Sequence, residues 1–214
     1  MSVRTSFILA VVACGTVPAA TAGGADERPT RPQMRQLQPT RPGGLPPSDR
    51  ELVDARAVIE RRFREPLAHT GTAAGASAAA TMLLDAATAE EEPAVKWALL
   101  VEARRLAAAA GNAAGVDRAI VLADATFEFD AIKAEQHALR GIPLRALDRS
   151  RAAQLAQVAE GLAERAEADG RPEVAADSWA LAMRGWQRAG DLAAARRAAT
   201  RLGDVERTVP RGLP

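Results

Sequence analysis

Tyrosine is absent from this chain, cysteine occurs once, at Cys14, and histidine twice, at His69 and His137. A single thiol cannot close an intrachain disulfide or supply a cysteine-based metal site. Neither histidine has a histidine, cysteine or acid at a ligand spacing. Glu135 stands two residues before His137, but positions two apart on a helix point to different sides. No metal and no cofactor are expected. Lysine is scarce as well, with Lys96 and Lys133 the only two, and the 28 basic residues are matched by 27 acidic ones. That balance excludes a general nucleic-acid binder, which needs a basic excess to collect phosphates. The serine elbow of hydrolases, phosphate-binding loops, the dinucleotide glycine motif and the zinc-protease helix motif are all missing, so the chain reads as non-catalytic. Phe7 aside, the aromatic residues are Phe63, Trp97, Phe127, Phe129, Trp179 and Trp186. The core must therefore be built from Ala, Leu, Val and Ile, whose small members let helices approach closely. No alternation of β-branched residues argues for a strand, and the fold class is all-α.

The first residues carry the clearest signal. Arg4 precedes the apolar run Phe7 to Ala13, then come Pro18 and the small triplet Ala20-Thr21-Ala22. This is the layout of a cleaved secretory signal over residues 1–22, and its apolar run is shorter than the roughly 20 residues a bilayer requires. The expected location is periplasmic or secreted. Val11-Val12-Ala13-Cys14-Gly15 also resembles a lipobox, in which Cys14 would be lipidated and hold a lipoprotein to the membrane. Membrane contact is expected only through the signal or that anchor. Residues 23–47 hold six prolines (Pro29, Pro32, Pro39, Pro42, Pro46 and Pro47) and almost no large apolar side chain, the composition of a disordered Pro/Arg-rich tether. A folded unit over 48–209 and a tail over 210–214 complete the organisation.

Ser48-Asp49-Arg50-Glu51 is a capping box, and Leu52, Ala55, Ile59, Phe63 and Leu67 continue from it as one apolar helical face, predicting a first helix that ends near Pro66. A break over Gly71–Gly75 precedes an alanine-rich second helix with Met82, Leu83 and Leu84. Pro93 opens a third helix closed by Gly111-Asn112, and a fourth carries Val116, Ile120, Ala123 and Phe127. Asp130 caps a short fifth. Gly141-Ile142-Pro143 separates it from a long sixth with Leu155, Val158 and Leu162. Pro172 begins a seventh, and Gly190-Asp191 an eighth with Leu192, Ala195, Ala199, Leu202 and Val205.

Pro93 to Gly111 and Pro172 to Gly190 span the same number of positions, and the shared frame aligns Val95 with Val174, Arg105 with Arg184, Asn112 with Asp191 and Arg118 with Arg197. These matches predict two related helical hairpins. Trp179, Trp186, Gly190 and Ala195 fit the bulky, turn and small-residue slots of a tetratricopeptide repeat, and Gly170, Ala175, Trp179 and Ala182 fit the second half of a preceding one. The chain thus resembles tetratricopeptide-like modules. The run from Pro93 to Ala107, continuing through Ala110-Gly111-Asn112 and Ala119 to Asp130, is also similar to largely uncharacterised helical modules of exported bacterial proteins. These resemblances imply antiparallel hairpins stacked as a short solenoid or bundle, with Trp179 and Trp186 in the packing.

In the tetratricopeptide register the concave surface would present Ala98, Val101, Arg105, Ala108 and Ala109, then Asp177, Ala180, Arg184, Gln187 and Arg188. Arg105, Arg184, Gln187 and Arg188 form the candidate groove, because a guanidinium can clamp a carboxylate of a peptide with two parallel bonds. The expected role is an exported, non-catalytic protein-interaction or scaffold module of the bacterial cell envelope, with a protein or peptide partner. Two alternatives remain: a helical enzyme acting on cell-wall glycan with Glu102 as its acid, and a structural lipoprotein anchored through Cys14.

Overall fold

The computed structural model describes residues 44–208. The signal segment with Cys14, residues 23–43 of the tether and the tail 210–214 lie outside the described residues. Within them the chain forms nine α-helices: α1 (Asp49–Arg62), α2 (Arg64–Ala68), α3 (Ala73–Ala89), α4 (Pro93–Ala109), α5 (Ala113–Asp124), α6 (Ala131–Arg140), α7 (Arg149–Ala168), α8 (Pro172–Ala189) and α9 (Leu192–Thr208), with a 3-10 turn at Leu144–Ala146. The described residues contain no strand, and their one isolated bridge pairs Gly44 with Phe127. None of these helices is long and apolar enough to cross a membrane.

Caps and breakers set most boundaries. The Glu51 carboxylate accepts from the Ser48 backbone N–H at 2.8 Å and from its hydroxyl at 2.6 Å. Asn112, Asp130, Asp148 and Asp191 each accept a backbone N–H three residues on, starting α5, α6, α7 and α9. Pro93 and Pro172 occupy the first turns of α4 and α8, where the missing N–H costs nothing. Past the ends of these two helices, Gly111 and Gly190 adopt left-handed φ values of 71° and 88°. The two segments that share a sequence phrase therefore begin and end alike.

Three expectations are corrected. The first helix is not continuous to Pro66: it ends at Arg62, and Phe63 separates it from α2. Pro66 cannot donate to the Arg62 carbonyl and its ring would collide with it, whereas it fits the first turn of a new helix. The break expected over Gly71–Gly75 is shorter, because the Thr72 hydroxyl accepts from Gly75 N–H at 3.1 Å and starts α3 at Ala73. A β-carbon at Gly75 would lie 2.0 Å from the His69 carbonyl oxygen, so glycine is what allows the chain to fold back so tightly. Finally, Phe127 lies beyond α5. Gly44 donates to the Thr126 carbonyl at 3.2 Å and accepts from Glu128 N–H at 3.0 Å, a pairing that takes extended backbone.

Consecutive helices pack against one another from α3 through α9, and alternate ones do too: α3 with α5, α5 with α7, α4 with α6 and α6 with α8, while α1 covers α4. The result is two layers, α4, α6 and α8 against α3, α5 and α7, joined by a core rich in alanine. Ala103, Ala107, Ala113, Ala152, Ala156, Ala159, Ala163, Ala166, Ala175 and Ala182 are fully or almost fully buried. At Gly185 of α8 a β-carbon would stand 2.9 Å from Ala156 Cβ and 3.0 Å from the Ala152 carbonyl oxygen. Both tryptophans of α8 donate to α7, Trp179 Nε1 to Glu167 at 2.5 Å and Trp186 Nε1 to Glu160 at 2.8 Å.

One carboxylate is buried in this core. The Glu135 side chain of α6 is 3 % exposed and receives Arg165 Nη2 of α7 at 2.5 Å on one oxygen. Burial pushes its pKa up to about 7, with Asp117 adding to the rise and Arg165 opposing it. The folded chain thus holds a proton on Glu135 between about pH 4.5 and 7 that the unfolded chain has lost, so stability falls as pH rises through that window.

Two predictions follow from this packing. Gly185→Val should destabilise the fold by about 2 kcal/mol through overpacking, whereas Gly203→Ala in α9, whose β-carbon meets only the flexible end of Arg207 at 3.9 Å, should gain up to about 1 kcal/mol of helix propensity; thermal unfolding midpoints moving in opposite directions check this. For Glu135→Gln, denaturant unfolding should show a variant that gains about 3 kcal/mol on the parent between pH 5 and pH 8; a difference that stays flat with pH would show that the buried carboxyl titrates normally.

Candidate functional site

A cleft lies between α1, α2 and α4. Leu52, Arg56, Ile59 and Glu60 recur at helical spacing along α1, and Trp97, Ala98, Val101, Glu102 and Arg105 along α4; Leu67 and Thr70 close one end. The space they enclose is about 570 Å³, within the range that holds a small molecule or two or three side chains of a peptide. The break at Phe63 makes this possible, since a helix running straight on to Pro66 could not bring Leu67 back over the end of the cleft.

The floor is apolar and firmly held. Trp97 meets Phe127 edge to face, with ring centroids 4.9 Å apart at 75°, and meets Phe129 in the same way at 5.2 Å and 84°. Such pairs fix the indole beyond what burial alone achieves. Ala98 and Ile59 are buried beside it, and Val101 is half-buried.

The rim carries both charge signs. Arg105 binds Glu102 through two parallel bonds, Nε to Oε2 at 2.9 Å and Nη2 to Oε1 at 2.5 Å, and that pairing holds the guanidinium more firmly protonated. Each Glu102 oxygen thus accepts one bond from Arg105. Arg56 and Glu60, across the cleft on α1, are exposed and form no ion pair among the described residues. The cation that remains available at the rim is therefore Arg56.

Of the residues singled out from the sequence, the structure brings Arg105 to this cleft and leaves Arg184, Gln187 and Arg188 away from it. Arg184 is exposed on α8, and its Nε donates to the Ala180 carbonyl at 3.2 Å. Gln187 is exposed on the same helix. Arg188 is a latch: its Nε donates to the Leu147 carbonyl at 3.0 Å and Nη2 to that of Arg145 at 3.4 Å, tying α8 to the 3-10 turn. Between α4 and α8 stands α6, which packs on both, and Asp177 of α8 is engaged by Gln136 at 3.1 Å and by Arg140 of α6. Sequence reasoning missed Arg56, Glu60 and Trp97 as site residues. A signal was present in α1, where Arg56 and Glu60 interrupt the flank of the Leu52–Ile59 face.

Comparison with protein-family models, with curated proteins and with solved structures gives no significant match to the chain.

The composition of the cleft predicts that anilinonaphthalene sulfonate, an apolar dye with an anionic group, binds there. Fluorescence titration should give an affinity about tenfold weaker for Val101→Glu, which puts a charge on the apolar floor at a cost of about 1.4 kcal/mol, and unchanged for Arg184→Ala. Equal losses in both variants would place the dye elsewhere.

Proposed function

We propose that the chain is a non-catalytic protein-interaction module, exported to the bacterial cell envelope as its first 22 residues suggest, and built from tetratricopeptide-like hairpins. The observation that carries this reading is the α1–α4 cleft, with an apolar floor backed by aromatic rings and a rim arginine, Arg56, that has no partner among the described residues. The occupant it suits is a short peptide segment with two apolar side chains and a neighbouring carboxylate, the apolar pair lying over Trp97, Ala98 and Val101 and the carboxylate reaching Arg56. Arg105 serves differently, as half of a neutral pair with Glu102 that shapes one wall. An arginine with no internal partner among the described residues can give both of its parallel bonds to the ligand, so Arg56 favours one carboxylate on the peptide, while unpaired Glu60 on the same rim disfavours a second.

Support for the alternating stack comes from the helix order itself, in which α4, α6 and α8 form one layer and α3, α5 and α7 the other. A glycan-cleaving role for Glu102 lacks comparable support: the contacts of its carboxylate among the described residues are the two bonds from Arg105, an ordinary surface pair.

A displayed library of random peptides, selected on the full chain and on its Val101→Glu and Arg56→Ala variants, tests the reading. The expected result is enrichment of peptides with an acid beside two apolar residues, lost on Val101→Glu, weakened about tenfold on Arg56→Ala and retained on Arg184→Ala. Enrichment of basic peptides, or enrichment indifferent to Val101 and Arg56, would overturn it.

A further inference from the structure

A second, smaller cavity of about 320 Å³ opens between α5, α6 and α7, and Glu135 is among its lining residues. Its apolar side is made by Ile120, Phe129 and Ile132, and its charged side includes Asp130, Glu135, Arg165, Asp169 and Arg171.

The charges are unevenly matched. Arg165 Nη2 is shared between Glu135 at 2.5 Å and Asp117 at 3.8 Å. Arg171 is shared between Asp130 and Asp169, each at 2.6 Å. Lys133 Nζ also lies 3.9 Å from Asp130, so three cations serve four carboxylates, an acid excess of one when Glu135 is ionised. Oε1 of Glu135, on a side chain only 3 % exposed, has no hydrogen-bond partner among the described residues. A buried carboxylate oxygen without a donor is costly. Both arginines are already held by carboxylates, so neither is free to take an anion.

We propose that this cavity is a binding site for a small organic cation, an ammonium or guanidinium group on a short apolar body, whose N–H donates to Glu135 Oε1 while the body lies against Ile120, Phe129 and Ile132. The cation supplies the two things the cluster lacks, a donor for the orphaned oxygen and positive charge against the surplus acid. Desolvation, which favours the protonated carboxyl in the empty cavity, is opposed once a cation sits beside it. Phe129 adds a ring on the apolar wall, a surface that suits both the body of such a ligand and its charge. The site is distinct from the α1–α4 cleft and does not depend on how that cleft is used.

The test uses the full chain and three probes of one size that differ in charge: benzylamine, benzyl alcohol and benzoate. Chemical-shift titration should show saturable shifts at Ile132 and Phe129 with benzylamine, about tenfold weaker binding to Glu135→Gln, and weaker binding still of the alcohol and the anion. Val121→Trp, at a lining position that is 55 % exposed, should obstruct the cavity without touching the core and lower benzylamine affinity in the same way. A capped arginine amide titrated alongside separates the two sources of this chemistry: tighter binding than benzylamine names a protein side chain, looser binding a free amine. No saturable shift with either cation, benzoate binding as tightly as benzylamine, or benzylamine affinity indifferent to both substitutions would overturn the proposal.

Discussion

Where Gly185 of α8 passes Ala152 and Ala156 of α7, the space will not admit a β-carbon without displacement, and the rest of the fold is organised around approaches of this kind. A chain with so few aromatic residues cannot fill a wide gap between helices, so it closes the gap instead, setting alanine against alanine. The cost lies in directional specificity, because alanine faces can slide past one another more readily than interlocking large side chains. Polar latches restore the register. Trp179 and Trp186 each donate to a glutamate of α7, Arg201 of α9 reaches the other oxygen of Glu167 at 2.7 Å, and Arg151 of α7 donates to the Ala110 carbonyl at 3.0 Å.

The two cavities beside Trp97 and Glu135 are among the places where this closure stops. At the α4–α5–α6 junction three of the aromatic residues gather, and Trp97 and Phe129 form a common wall, the first facing the α1–α4 cleft and the second the cavity beside Glu135. Large rigid rings hold the helices apart as well as together. Around them, the packing that makes alanine sites dry and tight gives way to spaces lined by mixed side chains, which are the surfaces able to discriminate between ligands.

Local chemistry was legible in the sequence wherever one residue decides a boundary. Asn112, Asp130 and Asp191 cap helices because each side chain reaches only three residues along, and Pro93 and Pro172 start helices because their constraint is on their own backbone. The pairing of Glu102 with Arg105 has the same reach. Pro66 was misread because its effect falls on the carbonyl four residues earlier, and Phe127 because its backbone is drawn out by Gly44, more than eighty positions away. The cleft joins α1 to α4 across two intervening helices, beyond anything periodicity reports. Glu135 is the instructive case. It occupies the Ile132, Glu135, Leu139 stripe of α6, an acid in an apolar row, and that position foretold its burial; weighing it only as a companion of His137 looked along the chain when the informative neighbours lay across it.

Several arginines of this protein fasten one helix to another, and that decides how their charges should be read. Arg165, Arg171, Arg188 and Arg201 each bind a carboxylate or carbonyl on a neighbouring element, so these arginines mark seams in the fold. A guanidinium spent on a seam cannot reorganise around a ligand without loosening the hairpins it joins. Under the two proposals, recognition falls to polar groups with no partner among the described residues, Arg56 at the rim of one cavity and Glu135 Oε1 within the other, with opposite demands on what each can hold.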